Sequence, residues 1–207
     1  PGRESFVYHE ILSDLVHIDV NLMRPTEQQP FYVVYTTGMS DRPMTLPDEI
    51  SNREDLQYAE VFLFLPGDWD LGKEFQLGTD IPPEHFWPIH MLKFLARFPH
   101  AYETWLGPGH TIPNGPDYAP LGPGVDFGGV VLDQLGKGLE QVETKDGRCV
   151  NLLFVIPAYR EEIEYKLKYG MDGLQDRFAQ GDLPMVLDAA RPNLCADFTE
   201  ILDGPEN

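Results

Sequence analysis

Two carboxylates directly after an apolar segment are the first residues whose types and spacing could support chemistry. Asp68 and Asp70 flank Trp69 just beyond the segment 58–65. Paired carboxylates can act in acid–base catalysis or hold a metal ion. The tripeptide Pro66-Gly67-Asp68 is also typical of a tight turn in which the Asp oxygen bonds the backbone. The turn is the simpler interpretation, and the two acids stay candidates for contact with a partner.

Histidines form a second group with chemical potential. They are close together in the sequence, at His85, His90, His100 and His110. No His-Glu-x-x-His, no Cys-x-x-Cys and no repeated spacing links them, so the pattern favours ordinary surface and capping histidines. We therefore predict neither a metal ion nor a cofactor.

His110 stands in a glycine-rich segment with Trp105, Gly109 and Asn114. An exposed Trp among polar groups is a typical anchor for another protein, and a Trp that packs the segment onto the core fits the same pattern. As a general base, His110 would need a nucleophile, and the sequence offers no obvious one. A hydrolase or metal-dependent enzyme that uses His110 with Asp68 or Asp70 is the alternative hypothesis.

The common catalytic signatures are missing from the sequence, which has no Gly-x-Ser-x-Gly nucleophile elbow and no Walker loop. The run from Gly122 to Gly128 resembles a phosphate-binding loop, but its third glycine comes one place late. Pro123 also removes a backbone donor that such a loop needs. We therefore predict a protein without catalytic residues.

The charge balance limits the possible partners. Fifteen basic and 34 acidic residues give a formal net charge of −19. Such a surface repels nucleic acids and anionic membranes, so we predict neither as a partner. It attracts basic proteins, although solubility alone also explains it. No apolar run approaches the ~20 residues of a membrane span. No secretory signal is visible and only two cysteines occur, so we expect a cytoplasmic protein.

Alternating and β-branched segments predict strands, which cover 16–22, 31–37, 58–65, 129–133 and 149–156. Residues 107–129 are dense in Gly and Pro and predict a long loop, with Leu-Gly-Pro-Gly at 106–109 and again at 121–124 marking tight bends. Clustered strands interleaved with helices indicate an α/β (α+β) fold. We predict a single domain over residues 1–207, with a mixed β-sheet flanked by helices.

Apolar residues at helical spacing predict two helices. The first begins at Pro88, which suits a first-turn position, and breaks at Pro99. The second opens at Pro157, and Gly170 divides it. Its predicted buried stripe is Tyr159, Ile163, Leu167, Met171, Leu174 and Phe178. Its predicted outer ion pairs are Glu162–Lys166 and Glu164–Lys168.

Longer blocks of the sequence carry a family resemblance. They are 9–18, 37–44, Tyr58-Ala59-Glu60, Trp87-Pro88, 95–100, Trp105-Leu106-Gly107, 109–115, Ile156-Pro157 with Glu161-Glu162, and Leu187-Asp188 with Arg191-Pro192. Together these blocks extend over nearly the whole chain. In this combination the sequence resembles the bacterial branch of the Suppressor of fused family.

The resemblance implies a mixed α/β fold and a non-enzymatic role in binding proteins. Animal members restrain transcription factors by binding a peptide of them, and bacterial members look like immunity proteins that neutralise polymorphic toxins. The block around Phe98 and His110 resembles the part of the animal domain near that peptide. There this chain has Gly109 in place of an acid.

These considerations lead to three hypotheses. The first is an immunity protein that sequesters a basic toxin, and the second is the enzyme described above. The third is a regulatory scaffold with a permanent protein partner, which predicts a large apolar patch on the isolated chain. The candidate partner-binding residues are Asp68, Trp69, Asp70, Phe98, Trp105, Gly109 and His110.

Overall fold

The computed structural model describes residues 5–8, 16–71, 83–136 and 138–198. In these ranges eight strands form one mixed sheet that carries two long α-helices, so the predicted α+β class is confirmed. The strands are β1 (Ser5–Tyr8), β2 (Asp19–Met23), β3 (Phe31–Thr37), β4 (Ala59–Pro66), β5 (Thr111–Pro113), β6 (Gly129–Asp133), β7 (Gln141–Glu143) and β8 (Cys149–Ala158). The helices are α1 (Pro83–Ala101) and α2 (Arg160–Gln180).

The sheet has the strand order β1-β2-β3-β4-β8-β6-β5, and β7 pairs with the start of β8. All neighbours are antiparallel except β4 and β8, which are parallel. A parallel pair needs a crossover connection. The segment between β4 and β8 supplies it and includes α1, β5, β6 and β7.

One helix packs against each face of the sheet. On one face α1 packs against β2, β3 and β4, with Ile89, Leu92 and Leu95 in the core. On the other face α2 places Ile163 and Phe178 in a second apolar cluster with strand residues such as Phe154. Because strand residues alternate between faces, the apolar residues of β4 serve both clusters. No helix in the described residues is long and apolar enough to cross a membrane.

The first helix differs from its predicted bounds. It already includes Pro83, five residues before Pro88, and it continues through Pro99 to Ala101. Each internal proline removes one backbone hydrogen bond, but the packing of Leu92 and Leu95 on the sheet holds the helix. Pro88 and Pro99 therefore mark neither end of α1, which begins at another proline, Pro83.

The second helix, in contrast, begins later than predicted. Pro157 lies in β8, opposite Val130, and the helix starts at Arg160. Its start is a capping box in which Glu162 accepts a hydrogen bond from the Tyr159 backbone N–H at 3.0 Å. Gly170 interrupts the helix as predicted, with φ of 79°.

Two predicted features of α2 are wrong. Leu167 is 54% exposed and does not join the buried residues Ile163, Leu174 and Phe178. The predicted outer pair Glu162–Lys166 is wrong, because Glu162 is fully buried against Arg191, and Glu164 pairs with Arg160 at 2.7 Å.

The glycine-rich segment 107–129 is not a continuous loop, because it contains β5 and ends in the first residue of β6. The two Leu-Gly-Pro-Gly copies do form bends of the same kind. In each copy the first glycine abuts a tryptophan: a Cβ on Gly107 would lie 2.5 Å from the Trp105 ring, and one on Gly122 would lie 2.5 Å from Trp87. The second glycine of each copy has a positive φ.

Candidate functional site

The predicted group around Trp69 lies at the N-terminal end of α1. The Trp69 backbone N–H donates to the Pro66 carbonyl at 3.0 Å, which forms the turn that the sequence predicts. The indole N–H donates to the His85 carbonyl at 3.0 Å, and the ring stands edge-on to Trp87. Trp69 therefore fastens the end of β4 to α1, which is a structural role.

Asp68 and Asp70 are exposed on either side of Trp69 and do not meet His110. Trp69 bonds His85, whereas the residues near His110 include Phe98, thirteen positions further along α1. The rise of an α-helix separates these two points by about 20 Å. The structure thus does not bring together the residues of the proposed enzyme site.

The other four candidates meet at the C-terminal end of α1. An open cleft of about 530 Å³ there is lined by Phe98, Trp105 and His110, by a side chain of α2, Lys166, and by residues of β5. Gly109 lies directly beside it in the chain. Here we call this feature the α1 cleft.

Two glycines shape the α1 cleft. Gly107 lets the Trp105 ring lie against the backbone, where any Cβ would collide with it. Gly109 has φ of +80°, a conformation that side chains disfavour. Its N–H donates to the Leu132 carbonyl at 2.7 Å and so fixes the bend to β6. The bend brings His110 edge-on to Trp105, with ring centroids 4.4 Å apart.

His110 is held toward its neutral form. Burial and the nearby positive charge of Lys166 lower the pKa of His110 from its ordinary value of 6.5, and a hydrogen bond with the Trp105 backbone acts in the opposite direction. A neutral imidazole can accept a proton or a hydrogen bond. Among the described residues that line the cleft, however, none is a carboxylate or a thiol that would complete a catalytic pair.

An exposed aromatic row continues from the cleft along α1, and sequence reasoning missed it. Phe94, Phe98 and Tyr102 follow each other at helical spacing, with centroids 5.8 and 4.7 Å apart. Phe94 is 48% and Tyr102 is 64% exposed. We call these three residues with Trp105 the aromatic surface. The i, i+4, i+8 spacing was a signal that could have revealed it.

The four clustered histidines occupy separate places. Each contacts a different neighbour: His85 the Trp69 ring, His90 the Phe86 ring, His100 the Met39 carbonyl and His110 the Trp105 ring. Within the described ranges no group of three or more His, Cys, Asp or Glu residues could hold a metal ion.

A second concave surface lies on the α2 face of the sheet, and we call it the sheet groove. It has a volume of about 680 Å³, and no residue of α2 lines it. Its floor and sides are mainly Phe31, Val33, Tyr35, Phe62, Phe64, Leu139, Val142 and Leu152. Sequence reasoning also missed this groove, because strand periodicity does not tell which part of a face a helix will cover.

Comparison with known proteins identifies the family. The model of the Suppressor of fused protein family matches residues 14–192. The chain belongs to the Suppressor of fused family. No match was found among curated protein sequences.

Solved structures of this family share the fold. A Suppressor of fused homologue from Neisseria gonorrhoeae has a TM-score of 0.63 at 16% identity, with 93% of this chain and 88% of that one covered. The Sufu–Fu complex structure matches with a TM-score of 0.61 at 16% identity over 94% and 85% of the chains. Drosophila Suppressor of Fused has a TM-score of 0.56 at 16% identity over 86% of this chain and 42% of its own.

Proposed function

We propose that this Suppressor of fused family member is a non-enzymatic protein-binding module that sequesters a partner at the aromatic surface and the α1 cleft. The observation that carries the proposal is the row Phe94–Phe98–Tyr102, in which Phe94 and Tyr102 are exposed and the half-buried Phe98 lines the cleft together with Trp105. Exposed aromatic side chains beside a concave pocket are the usual anchors of protein interfaces.

Family membership supports protein binding over catalysis. One solved relative is the Sufu–Fu complex, in which a protein of the same fold is bound to another protein. The lining of the α1 cleft is compatible with protein binding, because it combines aromatic and apolar side chains with the polar groups of Thr104, Thr111, His110 and Lys166.

The charge of the chain defines the partner more closely. A formal net charge of −19 favours a basic protein, because opposite charges accelerate association and like charges oppose it. A toxin domain that acts on nucleic acid would be basic. The proposed role is therefore that of a cytoplasmic immunity protein that covers the functional face of a polymorphic toxin.

The test is capture of the partner from the native cell lysate by the tagged chain and by three variants. Phe94→Ala/Tyr102→Ala removes exposed side chains of the aromatic surface. We expect it to weaken binding about 30-fold, equivalent to about 2 kcal/mol for a hot spot. Leu167→Ala/Met185→Ala, at exposed sites outside both surfaces, is the matched control, and Val142→Ala tests the sheet groove. The partner should be a basic protein bound at one to one and released by salt, since screening weakens steering.

A second assay addresses the immunity role. Expression of the captured protein alone should arrest growth, and co-expression of the wild-type chain should restore it, whereas the double variant should not. If the partner is harmless, the immunity role is wrong although binding stands. If the double variant captures as well as the wild type, the proposed site is wrong.

The sheet groove favours a second candidate function, a regulatory scaffold with a permanent partner. A permanent interface leaves a large apolar patch on the isolated chain, and the groove exposes Leu139 by 45% and Val142 by 49%. In the capture assay, loss of binding in Val142→Ala and not in the α1 variant would favour the scaffold.

A further inference from the structure

We propose that the sheet groove binds one amphipathic α-helix of a partner protein, with its apolar side on the sheet and basic residues along its flanks. This binding surface is separate from the aromatic surface and does not depend on it. The aromatic surface lies on α1 and at the edge formed by β5, whereas the groove lies over β3, β4, β7 and β8.

The floor of the groove has the width of a helix. Val33 and Tyr35 of β3 lie directly opposite Phe64 and Phe62 of β4, so all four side chains share one face of the sheet. On the same face Leu152 of β8 extends the floor beyond β4. Three adjacent strands cover about 14 Å, and a helix with its side chains measures about 10–12 Å. The β7 segment closes one side with Leu139 and Val142.

The same face of the sheet already packs a helix. On its other half, α2 places Ile163, Leu174 and Phe178 in one cluster with Phe154 and Ile156. The groove continues this apolar face, since Phe62 and Phe64 belong to that cluster and also line the groove. A second helix beside α2 would complete the layer.

Polar groups at one end of the groove are already satisfied, which argues against a polar small molecule. The buried carboxylate of Glu60 accepts hydrogen bonds from the hydroxyls of Thr36 and Ser40, both at 2.7 Å. Arg148 donates to Asp146 at 2.8 Å and to the Ser40 carbonyl at 2.7 Å. The recognition that remains is apolar contact, which suits the side of a helix.

The rim of the groove selects the charge of the helix. Asp41 at one end of the groove is an exposed acid, while Arg148 is engaged as described. Lys or Arg on the flank of a bound helix would meet Asp41 and would be attracted by the formal net charge of −19. A second copy of this chain is disfavoured, because each copy carries a formal charge of −19 and like charges oppose association.

The test uses a labelled peptide of about 18 residues, long enough for a stable helix, with Leu on one side at i, i+3, i+4 and i+7 and Lys elsewhere. Its controls are a scrambled peptide of the same composition and a peptide with Glu in place of Lys. Binding is measured by fluorescence anisotropy. Leu139→Arg/Val142→Arg changes the groove, and Leu167→Arg/Met185→Arg is the matched control with the same change of charge at exposed sites outside both binding surfaces.

We expect the amphipathic Lys peptide to bind at least tenfold more tightly than the scrambled and the Glu peptides. The groove variant should weaken it at least tenfold relative to the matched control. In addition, the methyl NMR signals of Val33, Val142 and Leu152 should shift on binding, while Leu167 should not. This measurement uses the wild-type chain and does not depend on the folding of a variant.

Three results would overturn the proposal. The first is equal binding of the scrambled peptide, which would reduce the effect to charge. The second is equal affinity in the groove variant and the matched control, with no methyl shifts at the groove. The third is self-association of the wild-type chain that the groove variant abolishes, which would make a second copy the occupant.

Discussion

Replacement of Arg191 by Ala should strongly destabilise the fold, because its side chain is buried beside the start of α2. Its guanidinium binds both carboxylate oxygens of Glu162 at 2.6 Å and also donates to the Pro157 and Pro192 carbonyls. The Arg191 and Glu162 side chains are 5% and 0% exposed. The guanidinium also lies 5.0 Å from the ring centre of Phe127. This one side chain therefore joins the segment after α2 to both β8 and the start of the helix.

The expected magnitude follows from what the substitution leaves behind. Glu162 also accepts the backbone N–H groups of Tyr159 and Leu194, but these cannot replace a buried counter-charge. Removal of one partner of a buried ion pair costs about 3–5 kcal/mol, because an uncompensated charge stays in the interior. A domain of ordinary stability has only about 5–15 kcal/mol in total. Arg191→Ala should therefore lose about a fifth or more of the free energy of unfolding.

Urea denaturation followed by circular dichroism measures this loss. The double variant Glu162→Met/Arg191→Met should cost clearly less than the sum of the single changes, because it removes both charges. Arg53→Ala serves as the surface control, since its pair with Asp55 is exposed and should contribute nothing measurable. A loss below about 1 kcal/mol in Arg191→Ala, or additive costs in the double variant, would refute the argument about the buried charge.

Three further predictions concern the α1 cleft and the sheet groove. Gly107→Ala should cost about 1–3 kcal/mol in urea denaturation and change the tryptophan emission, because the new Cβ displaces the Trp105 ring; unchanged emission would contradict the observed contact. Lys166→Ala should move the pKa of His110 upward in an NMR titration, because a positive charge that opposes protonation is removed. Burial raises the pKa of Glu60 above its ordinary 4.5. The folded state therefore binds this proton more readily, so the stability of the wild type relative to Glu60→Gln should be greatest below pH 4.5 and fall as the pH rises through the raised pKa.

Local patterns were sufficient where a strand depends on its own side chains. The bounds of β3, Phe31 and Thr37, agree with the prediction, because its β-branched and aromatic residues are flanked by Pro30 and Gly38. The same reasoning failed for α1 at Pro88 and Pro99. There, contact with the sheet compensates the lost hydrogen bonds, and such contact cannot be read from the helix sequence alone.

The candidate site was predictable only in part, because tertiary contacts decide the rest of its arrangement. The turn at Trp69 and the bend at Gly109 depend on local backbone geometry, so their residue types revealed them. The partner of Glu162 could not be predicted, because Arg191 is distant in sequence and the nearer Lys166 offered a simpler pair. Likewise, the sequence shows Phe94 only as an apolar residue of a helix. Its exposure could not be predicted, because packing against the sheet decides which side of α1 faces solvent.

The charge and the exposed apolar surfaces of this chain explain each other. Solubility and attraction of a basic partner are two separate explanations for the net charge of −19. A chain that exposes Phe94 and Tyr102 on one surface and Leu139 and Val142 on another would tend to associate with itself through them. Repulsion between like-charged copies opposes that association, while the same charge attracts a partner of opposite sign. Under the proposed function, one property opposes self-association through these surfaces and favours a basic occupant.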